Sequence, residues 1–212
     1  MSEPGTRVEP TGVGGRALSS RGLRTRRLLL EAAERIFAEV GYHDASIVKI
    51  TESAGVGQGT FYLYFDGKKR IFDEVVLDLN ARVRRAMTEA STQGTTRAES
   101  ELLGFGAFFR FTADHPALYR IVRQAEFVSP EILQLHYERL TERYVIGLRQ
   151  AMAAGEVAQG DPEVLAWSLM GVGELVGMRW ILWDGRTEMP GRVFDELARI
   201  IVRALGAGDR DT

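Results

Sequence analysis

The sequence contains no cysteine, which excludes disulfide frameworks, thiolate metal sites and cysteine nucleophiles together and fits a reducing, cytoplasmic interior. Its three histidines, His43, His115 and His136, are scattered without ligand partners at metal spacing, so neither a metal nor a cofactor is expected. No stretch alternates apolar and polar residues with a period of two, and no internal repeat occurs. The most hydrophobic window, 164–183, is interrupted by Glu174, Arg179 and three glycines, and so reads as a buried helix rather than a membrane span. An excess of charge is missing too: Lys and Arg number 27 against 29 Asp and Glu, a net charge of -2. That balance argues against a surface built for unselective nucleic-acid binding.

What is present is apolar periodicity. With 212 residues, 45% of them hydrophobic, the chain is long enough for one substantial core or for a small module plus a larger domain. Residues 1–20, rich in Gly, Pro, Ser and Arg, are expected to form a disordered arm, and 207–212 a flexible tail. Five arginines and no acid fall between Arg16 and Arg27. A solvated arm and a phosphate-touching arm are equally open on that charge alone.

Leu29, Ala32, Ala33, Ile36, Phe37 and Val40 recur at helical spacing and predict a first helix stopped by Gly41. Ser46 caps a short second helix, Ile47 to Ala54, closed by Gly55. A third is expected over Gln58 to Tyr64, and a long fourth, capped by Asp66, runs to about Ala90. Further helices are predicted from about Glu99 to Ala113, from Pro130 and Pro162, where Ser or Asp precedes a proline at the first helical position, and over Gly191 to Leu205. The fold class is therefore all-α.

The segment GVGQGTFYLYF, Gly55 to Phe65, is the unusual one. Two short helices joined by AlaGlyValGly after a longer helix have the organisation of a helix-turn-helix. Gly57 and Gly59 keep the next helix slim enough for its backbone to approach another surface. At about 100° per residue Phe61 and Phe65 share an inward arc, while Gly59, Thr60, Tyr62, Leu63 and Tyr64 spread outward. Exposed aromatics need a cover. Double-stranded DNA supplies one: hydroxyls of Thr60 and the tyrosines meet phosphates, Leu63 meets a thymine methyl, Gln58 reads a base edge, and Lys68 at the start of the fourth helix grips a phosphate. Packing of these aromatics into the core accounts for the periodicity equally well.

The run from Thr25 to Val75, with AlaAlaGluArgIlePhe, GlyTyr, AlaGlyValGlyGlnGlyThrPheTyrLeuTyrPhe and LysLys in order, closely resembles the DNA-binding domain of the TetR family of bacterial transcriptional regulators. It departs from the family pattern at Gly57, where a capping serine is common, at Thr51, where alanine is usual, and at Asp66-Gly67. The resemblance implies a helix-turn-helix domain over 21–75 and a ligand-binding and dimerisation domain over 76–206. It implies a DNA-facing set of Ser46, Gln58, Gly59, Thr60, Tyr62, Leu63, Tyr64 and Lys68. The implied function is that of a regulator, read as a repressor. It would bind a near-palindromic operator as a homodimer and be released by a mostly apolar small-molecule effector, with no membrane partner and no enzymatic activity.

For the second domain the resemblance implies an effector pocket, with Phe105, Phe109, Arg123, Tyr137, Trp167, Met170 and Glu174 as candidates. Mutual pairing of Arg123, Glu126 and Glu174 is the rival account of those charges. GlyGluLeuValGlyMetArgTrp looks like family members that sense fatty acyl compounds. Gly173 and Gly177, with Leu169, Val176 and Trp180, form a small-residue seam for helix approach. The resemblance makes it a dimer interface, and packing within one chain is the alternative. The Asp114-His115 pair is explained by a turn before Pro116, and GlyValGlyGlnGly lacks the strand and spacing of a dinucleotide fingerprint. The competing function class is a helical ligand-binding protein or enzyme that keeps the fold without binding DNA.

Overall fold

The computed structural model describes residues 11–206, which divide between Val75 and Val76 into two compact units. Among these residues every regular element is helical. The first unit holds α1 (Ser20–Asp44), α2 (Ile47–Ala54), α3 (Gln58–Phe61) and the start of α4 (Lys68–Ser91). The rest of α4 belongs to the second unit, with α5 (Arg97–Asp114), α6 (Ala117–Val128), α7 (Pro130–Ala153), α8 (Pro162–Gly177) and α9 (Gly191–Ala204).

In the first unit Ser19 caps α1 by accepting from the Gly22 N–H at 3.2 Å. Gly41 breaks the α1 ladder at φ 79°, ψ 167°, backbone that only glycine adopts without strain. The Ser46 Oγ accepts from the Lys49 N–H at 3.1 Å, and Gly55 closes α2 in the left-handed conformation. Leu29, Phe37, Ile50, Phe61, Phe65, Ile71 and Phe72 are fully buried. Phe37 meets Phe72 edge-on at 5.2 Å, and each such ring contributes roughly 1.5–3 kcal/mol on burial. Arg26 lies over the Phe65 ring and pairs with Glu74, tying α1 to the first turns of α4.

Two expectations are corrected here. α3 is regular only to Phe61; Leu63 and Tyr64 continue it through N–H bonds to Thr60 and Phe61, three residues back, because Phe65 turns inward and tightens the coil. At the start of α4 the Gly67 carbonyl accepts from the Ile71 N–H at 3.3 Å. Of the arm expected over 1–20 and the tail over 207–212, residues 1–10 and 207–212 lie outside the described residues. Residues 11–19 are corrected from disorder to a folded segment with a 3-10 turn at Val13–Gly15.

The second unit is a helical bundle in which α5 packs on α6, α8 and α9, and α7 on α6 and α8. Phe105, Phe109, Leu148, Leu169, Ile181, Leu197 and Ile201 form its core. Asp161 caps α8 through the N–H groups of Glu163 and Val164. Ser129, expected to cap α7 likewise, donates its hydroxyl to Glu131 instead, at 2.9 Å. α8 continues as a π-helical segment, Met178–Leu182. Pro162–Leu182 is long and apolar enough to cross a membrane by length and composition, with a third of its most apolar window buried. In the bundle its inward face is packed against α5 and α7.

Candidate nucleic-acid interface

Phe61 and Phe65 are fully buried with ring centroids 5.6 Å apart. Anchored there, the intervening residues turn outward: Tyr62 and Leu63 are each 49% exposed, Thr60 and Tyr64 half-buried, Gln58 and Gly59 exposed. Periodicity left core and surface equally open for these side chains; burial of one pair and exposure of the other separates them. A Cβ at Gly57 or Gly59 would meet nothing within 4 Å, and neither glycine has a positive φ. Neither the packing nor the backbone conformation of the described residues requires glycine at these two positions.

Ser46 belongs to the same unit, at the α2 N-terminus, where its Oγ is occupied as a cap and its hydroxyl hydrogen remains to donate. Lys68 differs from its expected role. Its ammonium donates to the carbonyls of Tyr42 at 2.7 Å, His43 at 3.3 Å and Ala45 at 2.8 Å, and lies 4.5 Å from the Tyr42 ring centroid. All three hydrogens are thereby directed at the α1–α2 turn. Lys68 is a brace for that turn, a correction to its assignment as a phosphate ligand. Sequence reasoning missed the segment before α1: the Val13 N–H donates to the Leu63 carbonyl at 3.2 Å. Its one signal, a glycine-rich run ahead of the first helix, also suits a solvated arm.

In the second unit the seven candidate ligand residues separate into groups. The Tyr137 hydroxyl donates to the Glu174 carboxylate, 3.0 Å from each oxygen, and its ring lies 5.9 Å from that of Trp167. Burial pushes the Tyr137 hydroxyl above its ordinary range; the Glu174 charge and hydrogen bond add to the rise, and Arg123 opposes it. Trp167, Met170 and Glu174 occupy one arc of α8 at about 100° per residue. Phe105 and Phe109, on α5, are buried against the neighbouring arc of α8, at Gly173 and Gly177. They are core, a correction to their place in the ligand set. Arg123 donates to the Met178 sulfur at 3.0 Å rather than to a carboxylate. An open depression of about 310 Å³ lined by Ala198, Arg199, Val202 and Arg203 touches none of these residues.

The seam proposed for dimerisation faces inward. A Cβ on Gly173 would fall 2.7 Å from the Phe105 ring, and one on Gly177 3.2 Å from Phe109; Leu169 is buried with them. The small residues serve close packing within the chain, the alternative left open by the sequence. Val164 and Leu175, 62% and 63% exposed, lie with Gly171 on the other side of α8, about half a turn away from that seam. α8 is apolar on both faces, so periodicity alone could not select the buried one.

Residues 29–75 match the family model described as bacterial regulatory proteins, tetR family. The chain is similar to the HTH-type transcriptional regulator YdgC of Bacillus subtilis, 33% identical over 122 residues, 56% of this chain and 61% of that relative. It thus spans less than two thirds of YdgC. It is also similar to the fatty acid metabolism regulator protein of B. subtilis, 26% identical over 168 residues, 76% of this chain and 86% of the relative. Among solved structures, the FadR regulator of B. subtilis in complex with stearoyl-CoA aligns with a TM-score of 0.73 at 20% identity, covering 85% of this chain and 98% of that one. A TetR-family regulator from Syntrophomonas wolfei aligns with a TM-score of 0.74 at 20% identity, covering 89% and 99%. At these identities the solved structures establish the fold. Helix-turn-helix, outward aromatics and the family match coincide: residues 29–75 are a helix-turn-helix module that matches bacterial regulatory proteins of the tetR family, and the chain as a whole shares the fold of solved TetR-family regulators.

Proposed function

We propose that the protein is a ligand-responsive repressor that binds a near-palindromic DNA operator as a homodimer and releases it on binding a mostly apolar small molecule. The observation that carries the reading is the outward turn of Tyr62 and Leu63 over a buried Phe61–Phe65 anchor. In this reading each α3 enters a major groove, with the two centres about 34 Å apart. Gln58 and Leu63 meet base edges, and Ser46, Thr60, Tyr62 and Tyr64 meet phosphates or thymine methyls. Lys68 acts by holding the α1–α2 turn. The two copies meet through the exposed side of α8, Val164, Gly171 and Leu175, together with the exposed Ile200 of α9, because that apolar area is costly to leave in water.

The effector site is assigned to Tyr137, Trp167, Met170 and Glu174, with Arg123 at its edge. B. subtilis FadR binds stearoyl-CoA, and a long acyl chain suits the apolar α7–α8 surroundings. The boundary between the units falls inside α4, so a tilt of that helix would transmit effector binding, with a coupling of about 1–3 kcal/mol. The test is selection of duplexes from a random pool by the purified chain, followed by titration with stearoyl-CoA. Enrichment of a palindrome and its release by the acyl compound are expected. A pool with no enriched sequence would overturn the DNA reading, and an enriched palindrome indifferent to acyl-CoA would overturn the effector class alone.

A further inference from the structure

We propose that residues 12–16 form a clasp on the recognition turn, which fixes its Tyr62–Leu63 end and delivers Arg16 to the DNA backbone beside it. The inference rests on the DNA-reading role of α3 proposed above. α3 has four residues and ends in tight turns, so its last carbonyls need partners from elsewhere. The Val13 N–H supplies one for Leu63, at 3.2 Å. The segment that offers it is closed on itself: the Gly12 N–H donates to the Arg16 carbonyl at 2.8 Å, and the Gly15 N–H to the Gly12 carbonyl at 3.2 Å.

Gly12 gives the strongest reason to read this as a built contact. It is buried, and its backbone, φ -78° and ψ 179°, is extended and open to any residue. What forbids a side chain is proximity: a Cβ would stand 2.8 Å from the Leu63 carbonyl oxygen and 3.2 Å from Leu18 Cδ2. Leu18 in turn lies where a Cβ on Gly22 would contact it at 3.4 Å. The loop is therefore seated between the recognition turn and the first turn of α1. Arg16, whose carbonyl closes the loop, is exposed. Its cation lies three residues along the loop from Val13, the donor to Leu63, and the chain from Arg16 through Arg24 adds two more arginines and no acid.

The experiment uses the full chain and the duplex that the parent selects from a random pool, with affinity measured by fluorescence anisotropy over a range of salt. V13P removes the donor; the extended ψ of Gly12 accepts a following proline, and the start of a short helical turn tolerates one. We expect V13P to weaken binding about three- to tenfold, the weight of one hydrogen bond, and G12A to do the same by pushing the loop off Leu63. R16Q should weaken binding and lower the salt slope by about 0.9 per subunit, and should cost little more when added to V13P or G12A. Thermal unfolding accompanies each variant; should V13P lower it, the G12A and R16Q cycle decides. Parent-like binding by both G12A and V13P, or an R16Q cost equal in both backgrounds, overturns the clasp while leaving the DNA reading intact. Failure of the parent to select any duplex overturns both.

Discussion

Asn80 holds His136 by two bonds from one amide nitrogen, to the ring Nδ1 at 3.1 Å and to the backbone carbonyl at 2.9 Å. Both residues are buried, so the second half of α4 is tied to α7 through groups that water does not reach. The pairing needs a neutral imidazole with an unprotonated Nδ1.

A pH dependence of stability follows. Burial pushes the His136 pKa from its ordinary 6.5 down to about 4. Between these values the unfolded chain binds more protons than the folded one, so this contribution is complete above about pH 6.5 and declines as pH falls toward 4, by about 3 kcal/mol at most. Urea unfolding at pH 7 and pH 4.5 should show a larger loss for the parent than for His136→Gln, which starts less stable but lacks this titration. Equal losses in the two proteins would contradict the assignment.

The recognition surface and its anchor should separate in mutagenesis. Thr60→Ala and Tyr62→Ala should leave the melting temperature near that of the parent and weaken binding to the selected duplex by about tenfold or more, since each removes one interfacial contact worth about 1–3 kcal/mol. Phe61→Ala should cost about 3–5 kcal/mol of stability and lose binding through unfolding. Anisotropy and calorimetry on the same samples make the distinction.

For Lys68 the geometry predicts the signature of a brace. Lys68→Gln should lower stability by about 1–3 kcal/mol through the lost charge-assisted bonds and weaken duplex binding, yet keep the parent's dependence of log affinity on log salt. A slope reduced by about 0.9 per subunit would make Lys68 a phosphate ligand instead.

The two faces of α8 should respond differently. Gly177→Leu forces a side chain into Phe109 and Tyr119 and should destabilise the fold by about 1–3 kcal/mol or more. Val164→Glu with Leu175→Glu, both at exposed positions, should leave the single chain folded but prevent self-association, read by analytical ultracentrifugation. Dissociation by the glycine variant with no loss of stability would return the seam to the interface.

Local chemistry was legible without coordinates wherever one residue's side chain or backbone preference settles the matter. Ser46 and Asp161 as caps, Gly41 and Gly55 as stops and the prolines opening α7 and α8 are of that kind, and so is the inward pair Phe61 and Phe65, set by helical spacing. Tertiary structure decided what these local rules leave equal. The buried side of α8 was ambiguous because both of its faces are apolar. The partner of Lys68 depends on carbonyls of Tyr42 and Ala45, more than twenty positions away in the chain. The seat of Val13 on Leu63 joins residues about fifty apart. Contacts of that separation depend on how helices are brought together, and periodicity within any one helix carries no record of it.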